Sequence, residues 1–298
     1  MNYSKRLFYF LVSLNKNAMK LHFFIPSPLL RDYIKQYVFY NIEKQSIPGK
    51  MKFIPSGNPF MVFNFGDAFK IYNQKHSDGL LETGNLIGGQ QDSFYLLSPE
   101  GTLINLCIIF QPTGFYRLFN RSIKDIINTS AAVELLIKQE IFSIIQDLAE
   151  KTADPKLITC KLNDFFCKQL LLCNKKYDFI EYSIKQIQKH KGVITIKELS
   201  DFSHTCERNY RRRFTELVGI SPKKYIQIIR LQSIFKTIKS ELPNKINWCD
   251  FSYNQGYYDQ MHFIKEFKKF CGESPGVYFS EYSKSEKAIE RELFSVTY

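Results

Sequence analysis

The chain has 298 residues, of which 41 are lysine or arginine and 29 are aspartate or glutamate, so its formal net charge at pH 7 is +12. This length accommodates two domains, and a positive charge of this size is typical of a protein that binds a polyanion. The sequence contains no run of about 18 apolar residues, the length that is needed to span a bilayer. The basic residues are not confined to one amphipathic helix, so we expect no membrane partner.

Residues 1–21 contain a basic start and a short apolar run from Leu7 to Val12. This run is shorter than the apolar region of a typical signal peptide, and polar residues interrupt the segment directly after it. We predict that residues 1–21 are disordered or belong to an over-extended reading frame. Whether translation starts at Met1 or Met19 stays open.

Residues 22–112 consist of short apolar runs separated by turn residues such as Gly66-Asp67 and Gly88-Gly89. Many short strands joined by such turns are typical of a barrel or a sandwich. Strands are predicted for four runs, at 60–67, 69–73, 93–99 and 102–112.

Metal-dependent or phosphate-binding enzymes of β-rich fold have signatures that this chain lacks. Only His22 and His76 lie in residues 22–112, too few and too far apart for a cluster of histidine and carboxylate ligands. The sequence GGQQDS lacks the spacing of a phosphate loop. The seven cysteines contain no C-x-x-C pair, and their odd number is typical of reduced thiols in a cytosol. We therefore predict a cytoplasmic protein that is not an enzyme and has no cofactor and no metal.

Residues 113–174 change to a helical period, and Asp154-Pro155 is a typical N-terminal cap and first turn. The helix that begins there carries residues at alternating three- and four-residue intervals, a pattern that suits a seam against a partner helix. Packing on the chain's own β-rich domain suits the same residues equally well. The seam consists of Ile158, Leu162, Phe165, Gln169 and Leu172, and we predict a homodimer formed through residues 131–173.

Residues 206–225 and 256–275 are two copies of one module. Aromatic residues, a glycine and a Ser-Pro pair recur 53 positions apart, for example Phe214 with Phe267 and Gly219 with Gly272. A repeated register indicates a repeated supersecondary unit. Each copy reads as a short helix, a turn of three or four residues and a second helix that ends at the glycine, which is the helix-turn-helix pattern.

The second helix of such a unit lies in the major groove of DNA. In the first copy Tyr210, Phe214 and Leu217 form one buried stripe, so the arginines around them project outward, where their guanidinium groups suit guanine. In the second copy an amide, two apolar side chains and two lysines face outward. The candidate DNA-binding residues are Arg208, Arg211, Arg212, Gln260, Met261, Ile264, Lys265 and Lys268. The alternative is a solvated charged face on an ordinary amphipathic helix.

Residues 193–279 resemble the DNA-binding domain of AraC/XylS-type transcription regulators. The motif G-Y-Y-D-Q-x-H-F-x-x-x-F-x-x-x-x-G-x-S-P of the second copy carries this resemblance, as do the Arg230-Leu231 pair and the long segment 222–242 between the copies. The resemblance implies that the same residues, apart from Lys268, face the bases, and we expect Lys268 to meet phosphate. Met261 and Lys265 depart from the small residue and the arginine that are usual in the family, so the second unit's share in base reading stays open.

The order of a β-rich region, helices and a basic module also resembles AraC-type regulators with a cupin-like sensor domain and a helical dimerisation segment. By this resemblance we expect double-stranded DNA, a small-molecule effector and RNA polymerase as partners. Candidate effector contacts are the strand aromatics Phe63, Phe65, Tyr72 and Tyr95, which suit a plain core as well.

The predicted fold is therefore α+β, with a β-rich barrel-like (cupin-like) domain, a helical linker and dimerisation segment, and an all-α domain of two helix-turn-helix units joined by a long helix. The predicted boundaries are 1–21, 22–112, 113–174, 175–281 and a tail at 282–298. The predicted function is sequence-specific transcription regulation. An architectural DNA-binding protein whose N-terminal half only forms oligomers, and an enzyme fused to a regulator, are the alternatives.

Overall fold

The computed structural model describes residues 19–46, 49–137, 141, 145, 154–173, 179–240 and 246–280. The strands are β1 (Met19–Phe24), β2 (Ile34–Ile42), β3 (Met51–Phe53), β4 (Phe60–Asn64), β5 (Phe69–Tyr72), β6 (Leu80–Glu82), β7 (Leu86–Gly88), β8 (Tyr95–Pro99), β9 (Leu103–Phe110) and β10 (Ser130–Ala132). The helices are α1 (Gly114–Phe119), α2 (Val133–Leu136), α3 (Pro155–Leu171), α4 (Phe179–Lys189), α5 (Ile196–Phe202), α6 (Glu207–Val218), α7 (Pro222–Ser240), α8 (Trp248–Asn254) and α9 (Gln260–Cys271). A further helical segment covers 275–280.

Among the described residues the strands form two antiparallel sheets. One has the order β1-β2-β9-β4-β7-β10 and the other the order β3-β8-β5-β6. The inner face of the six-stranded sheet contributes Val62 and Cys107 to the space between the sheets, where the four-stranded sheet contributes Phe69 and Leu97. The outer face of the six-stranded sheet is covered by helices, so this sheet is buried on both sides.

The helix-turn-helix units lie in an all-α region that begins at Phe179. A single aromatic-rich core runs through both units and through α7, which joins them. Ser221 begins α7 by accepting a hydrogen bond from the backbone of Lys224 (3.4 Å), and the proline at the first helical position has no N–H to leave unpaired. The β-rich part followed by this helical part confirms the predicted α+β class with two helix-turn-helix units.

The predicted boundaries of the β-rich region were too narrow at both ends. Strand β1 begins at Met19, inside the segment predicted to be disordered, and pairs with β2 from Met19 opposite Ile42. Strand β10 lies in the segment predicted to be helical and pairs with β7, with Ala131 opposite Ile87. Residues 1–18 and 281–298, which hold most of the two predicted terminal segments, lie outside the described residues.

Helix α3 packs on the chain's own sheet, so the seam prediction was wrong for three of its five residues. Ile158, Leu162 and Phe165 are buried in the core formed with the six-stranded sheet. The Tyr37 hydroxyl of β2 donates to Asn163 Oδ1 (3.1 Å) and fixes the helix on the sheet. Of the predicted seam, Leu172 is exposed, and Gln169 donates to the carbonyl of Leu118 (3.3 Å). The homodimer stays a prediction.

Candidate nucleic-acid interface and ligand cavity

The first helix-turn-helix unit is formed by α5, a turn and α6. Helix α5 begins with a reciprocal cap, in which the Thr195 side chain accepts from the backbone N–H of Glu198 (3.2 Å) and the Glu198 carboxylate accepts from that of Thr195 (2.7 Å). Helix α6 ends at Gly219, whose φ of 89° is in the left-handed region that glycine adopts without strain. The predicted stripe of Tyr210, Phe214 and Leu217 is buried.

The second unit is formed by α8, a turn and α9. The Asp259 side chain accepts a hydrogen bond from the backbone N–H of His262 (2.6 Å) and caps α9, which ends at Gly272 with a φ of 86°. Phe263 and Phe267 are fully buried on the inner face of α9. The two recognition helices, α6 and α9, therefore begin and end at equivalent positions.

The three predicted arginines of α6 are exposed. Arg211 pairs with Glu207 (2.8 Å), and Arg212 lies 3.7 Å from Glu216 with 69% of its side chain exposed. Ion pairs between exposed residues four apart on a helix contribute only about 0.3–0.5 kcal/mol. Because such pairs are weak, the guanidinium groups can leave them for a base edge or a phosphate.

The outer face of α9 is less basic at its start. Met261 is 61% exposed, whereas Ile264 and Gln260 are partly buried. Lys265 and Lys268 are exposed one and two turns further along the helix. Six of the eight predicted DNA-binding residues are thus exposed, three of them arginines of α6, whereas Gln260 and Ile264 are partly buried and Ile264 packs against the core of the helical domain.

A buried acid that the sequence reading missed ties α9 to α7. Glu266 is nearly inaccessible, and its carboxylate accepts hydrogen bonds from the Tyr257 hydroxyl (2.7 Å) and from Gln227 Nε2 (2.6 Å). Burial raises the pKa of the Tyr257 phenol, and the negative charge of the Glu266 carboxylate beside it raises this pKa further. Position 266 corresponds to Arg213 of the first copy. The change from a basic residue to an acid between the two copies was the feature of the sequence that could have indicated a special role for Glu266.

A cavity of about 530 Å³ lies between the two sheets and extends to the helical domain. Apolar side chains of the sheets line its interior, among them Val38, Leu97 and Ile109. Tyr225, Gln232 and residues near them in α7 close the other side, where Gln232 Nε2 donates to the carbonyl of Pro55 (2.7 Å). The β-rich domain and the DNA-binding region therefore share this cavity.

The charges around the cavity are positive. Lys35, Lys191 and Lys236 contribute to its lining, which contains no acidic side chain among the described residues. Burial raises the pKa of the Tyr95 phenol, and it raises the pKa of the Cys107 thiol to about 12. Both groups are therefore neutral at neutral pH and add no negative charge to the lining.

Of the four predicted effector contacts only Tyr95 lines this cavity. Successive side chains of a strand point to opposite faces, and in β4 Phe60 and Val62 face the cavity while Phe63 is buried in the core under the helices. Phe65 packs against that same core. Tyr72 of β5 lies on the other face and carries Lys50 Nζ 3.4 Å from its ring centroid. Phe63, Phe65 and Tyr72 therefore do not line this cavity, and the sequence pattern did not show on which face of the strand each of them lies.

Two family models match the chain. One is described as a domain of unknown function (DUF6597) and covers residues 22–132, and the other is described as a helix-turn-helix domain and covers residues 199–281. A curated relative, an uncharacterized HTH-type transcriptional regulator of Haemophilus influenzae, is 23% identical over 252 residues, 80% of this chain and 78% of the relative. The helix-turn-helix match runs from within α5 to beyond α9 and so includes both recognition helices.

Solved structures of ToxT from Vibrio cholerae are also similar to the chain. One matches with a TM-score of 0.44 and 11% identity, over 88% of this chain and 97% of that chain. Another, from strain SCE256 with an unsaturated fatty acid bound, matches with a TM-score of 0.43 and 12% identity, over 89% of this chain and 95% of that chain.

Proposed function

We propose that this chain, a DNA-binding transcription regulator of the AraC type, reads its DNA sites with the outer faces of α6 and α9 and adjusts this binding to a small molecule held in the cavity. In this role it needs no catalytic group. The proposed DNA contacts are Arg208, Arg211, Arg212, Gln260, Met261, Ile264, Lys265 and Lys268.

The observation that carries the DNA-binding proposal is the accessibility of the base-facing half of α6. The β-rich domain contacts the second half of this helix, where the Tyr116 hydroxyl donates to Glu216 Oε1 (3.1 Å) and Ser122 Oγ donates to the Glu216 carbonyl (2.9 Å). Recognition helices present their first turns to base edges. The half of α6 that bears Arg208, Arg211 and Arg212 is therefore available in the full chain.

Footprinting of the full chain on a selected site tests this proposal. Two recognition helices in one chain should protect two patches on one face of the duplex, about one helical turn or roughly ten base pairs apart. The site is obtained by selection from random duplexes, and a scrambled duplex is the control. A single compact patch would mean that only one unit docks.

The cavity supports an effector of defined chemistry. Its volume is in the range of about 300–1,000 Å³ that small-molecule sites occupy. The interior offers apolar contacts, and the lysines, with Gln232, offer polar ones toward the helical domain. A molecule with an apolar body and an acidic end group matches both parts.

Filling the cavity should abolish the effector response. We expect a matching carboxylic acid from a library of aliphatic and aromatic acids to raise the midpoint of thermal unfolding, since a ligand at 100 times its Kd stabilises by about 2.7 kcal/mol. The variant Leu97→Trp should lose this shift, because Leu97 lines the cavity. The control Leu81→Trp, on the exposed part of β6, should keep it.

Two results would count against an effector in this cavity. An equal, saturable shift in Leu97→Trp would place the ligand elsewhere. No saturable shift with any compound in the library would favour an N-terminal domain that serves only assembly.

The remaining partners complete the proposal. We expect a homodimer. Sedimentation of the full chain at tens of micromolar tests this expectation, and a monomer at that concentration would contradict it.

We also expect contact with RNA polymerase. Transcription in vitro from a selected site tests it, and the expected result is a change in transcript level. A regulator that works on chromosomal DNA is expected in the cytoplasm. No helix in the described ranges is long and apolar enough to cross a membrane.

A further inference from the structure

The loop of residues 89–94, between β7 and β8, touches both helix-turn-helix units. We call it the 89–94 loop. Gln90 in it is fully buried and Ser93 nearly so, although the loop is polar. It is enclosed because the β-rich domain lies on one side and the helical domain on the other.

Asn128 holds the loop on the side of the β-rich domain. Its backbone N–H donates to the carbonyl of Gln90 (3.1 Å), and its side chain both accepts from the backbone N–H of Asp92 (2.8 Å) and donates to Asp92 Oδ1 (2.5 Å). Asn128 has a φ of 56°, in the left-handed region that asparagine tolerates better than most residues. These bonds give the loop a defined conformation.

The loop meets the first unit where α6 ends and α7 begins. A Cβ atom at Gly219 would lie 3.5 Å from Gln90 Cγ, an ordinary van der Waals distance, so Gln90 lies beside this glycine. Asp92 Oδ2 lies 3.5 Å from Lys224 Nζ, with both side chains mostly buried. Lys224 is therefore paired with the β-rich domain.

The loop meets the second unit at the equivalent point. A Cβ atom at Gly272 would lie 3.0 Å from the Phe94 ring. Beside it Lys52 of β3 pairs with Glu273. Gly219 and Gly272 are the C-terminal caps of the two recognition helices and are 53 residues apart in the repeat. One short loop thus contacts the same position in both copies.

The same loop borders the cavity. Gln91, which lies between Gln90 and Asp92, lines the cavity. Tyr95, directly after Phe94, lines the cavity as well. Residues 90, 92 and 94 face the helix-turn-helix units, whereas 91 and 95 face the cavity.

We propose that the 89–94 loop, acting together with α7 and the core that the two units share, fixes the separation of the two recognition helices and thereby determines which spacing of half-sites the protein accepts on DNA. The inference rests on the proposed function in that both units bind DNA. It does not require an effector, although a ligand in the cavity would act on the loop through Gln91 and Tyr95.

The test compares the full chain with the double variant Asp92→Asn and Phe94→Ala. Asparagine removes the charge that pairs with Lys224, and alanine removes the ring beside Gly272. Binding is measured without effector on a selected duplex, on duplexes with one or two base pairs added or removed between the half-sites, and on a single half-site. The charge-matched control is Asp78→Asn, on an exposed turn of the β-rich domain.

The unchanged chain should prefer one spacing by about tenfold or more, since bivalent binding is lost when geometry forbids simultaneous engagement. The double variant should reduce this preference to about twofold while its affinity for the single half-site stays the same. An unchanged spacing preference in a natively folded double variant overturns the proposal. So does an equal loss on the single half-site, because the loop would then govern binding and not spacing. Absence of specific binding by the unchanged chain would instead contradict the proposed function.

Discussion

Truncation of the arginines on α6 to alanine is expected to weaken specific DNA binding and to relax sequence preference. At least one of Arg208, Arg211 and Arg212 should donate two hydrogen bonds to one guanine, and its loss should cost about 1–3 kcal/mol at one base pair. The exposure of all three and the weakness of their present ion pairs support this expectation. Binding titrations against selected and scrambled duplexes at several salt concentrations measure it.

Two comparisons separate base reading from charge. Lys268→Ala should weaken all sequences alike and reduce the salt slope by about one unit, as loss of a phosphate contact does. Arg31→Ala removes the same charge from an exposed position in the β-rich domain and should leave both quantities nearly unchanged. If all three α6 variants lose specific and scrambled binding equally, α6 contributes charge and does not read bases.

Replacement of Phe267 by alanine is expected to lower the free energy of unfolding by about 3–5 kcal/mol, as in other large-to-small core substitutions. Phe267 is fully buried at the centre of an aromatic cluster, with ring centroids 5.8 Å from Phe235 and 5.6 Å from Tyr278. Few neighbours can move to fill the space, because these rings also pack against one another.

Urea unfolding followed by tryptophan fluorescence measures this change. The single tryptophan of the chain, Trp248, stacks 6.0 Å from Phe263 and so reports on the second unit. Phe202→Ala is the matched control, because Phe202 is 56% exposed and its loss should change stability little. In footprinting, Phe267→Ala should lose the second patch before the first. Equal stabilities of the two variants would mean that this cluster does not hold the unit together.

Short local patterns predicted the helical domain closely. The helix predicted to end at Gly219 does so, and the one predicted to end at Gly272 does so too. Helix caps, left-handed glycines and an apolar period of 3.6 depend on residues within one or two helical turns, so they can be recognised in the sequence without knowledge of the rest of the fold. The repeat then doubled the signal for each element.

The strands of the β-rich domain were harder to predict from the sequence because the main sheet is buried on both faces. Strand β2 carries Tyr37 toward the helices and Val38 toward the cavity, so it lacks the alternation of a half-exposed strand. Strands β7 and β10 have three residues each and give too short a pattern. Because both faces of the sheet are buried, the sequence could not predict the side to which Phe63 points.

The sequence by itself determined the two helix-turn-helix units, their buried stripes and the basic residues on their outer faces, because those features depend on neighbours three or four positions apart. Only the tertiary structure decided that α3 covers the chain's own sheet, that the cavity is shared with α7 and that Lys224 pairs with Asp92. Contacts such as Tyr37–Asn163, Pro55–Gln232 and Asp92–Lys224 join residues more than a hundred positions apart, and no local period in the sequence encodes their geometry.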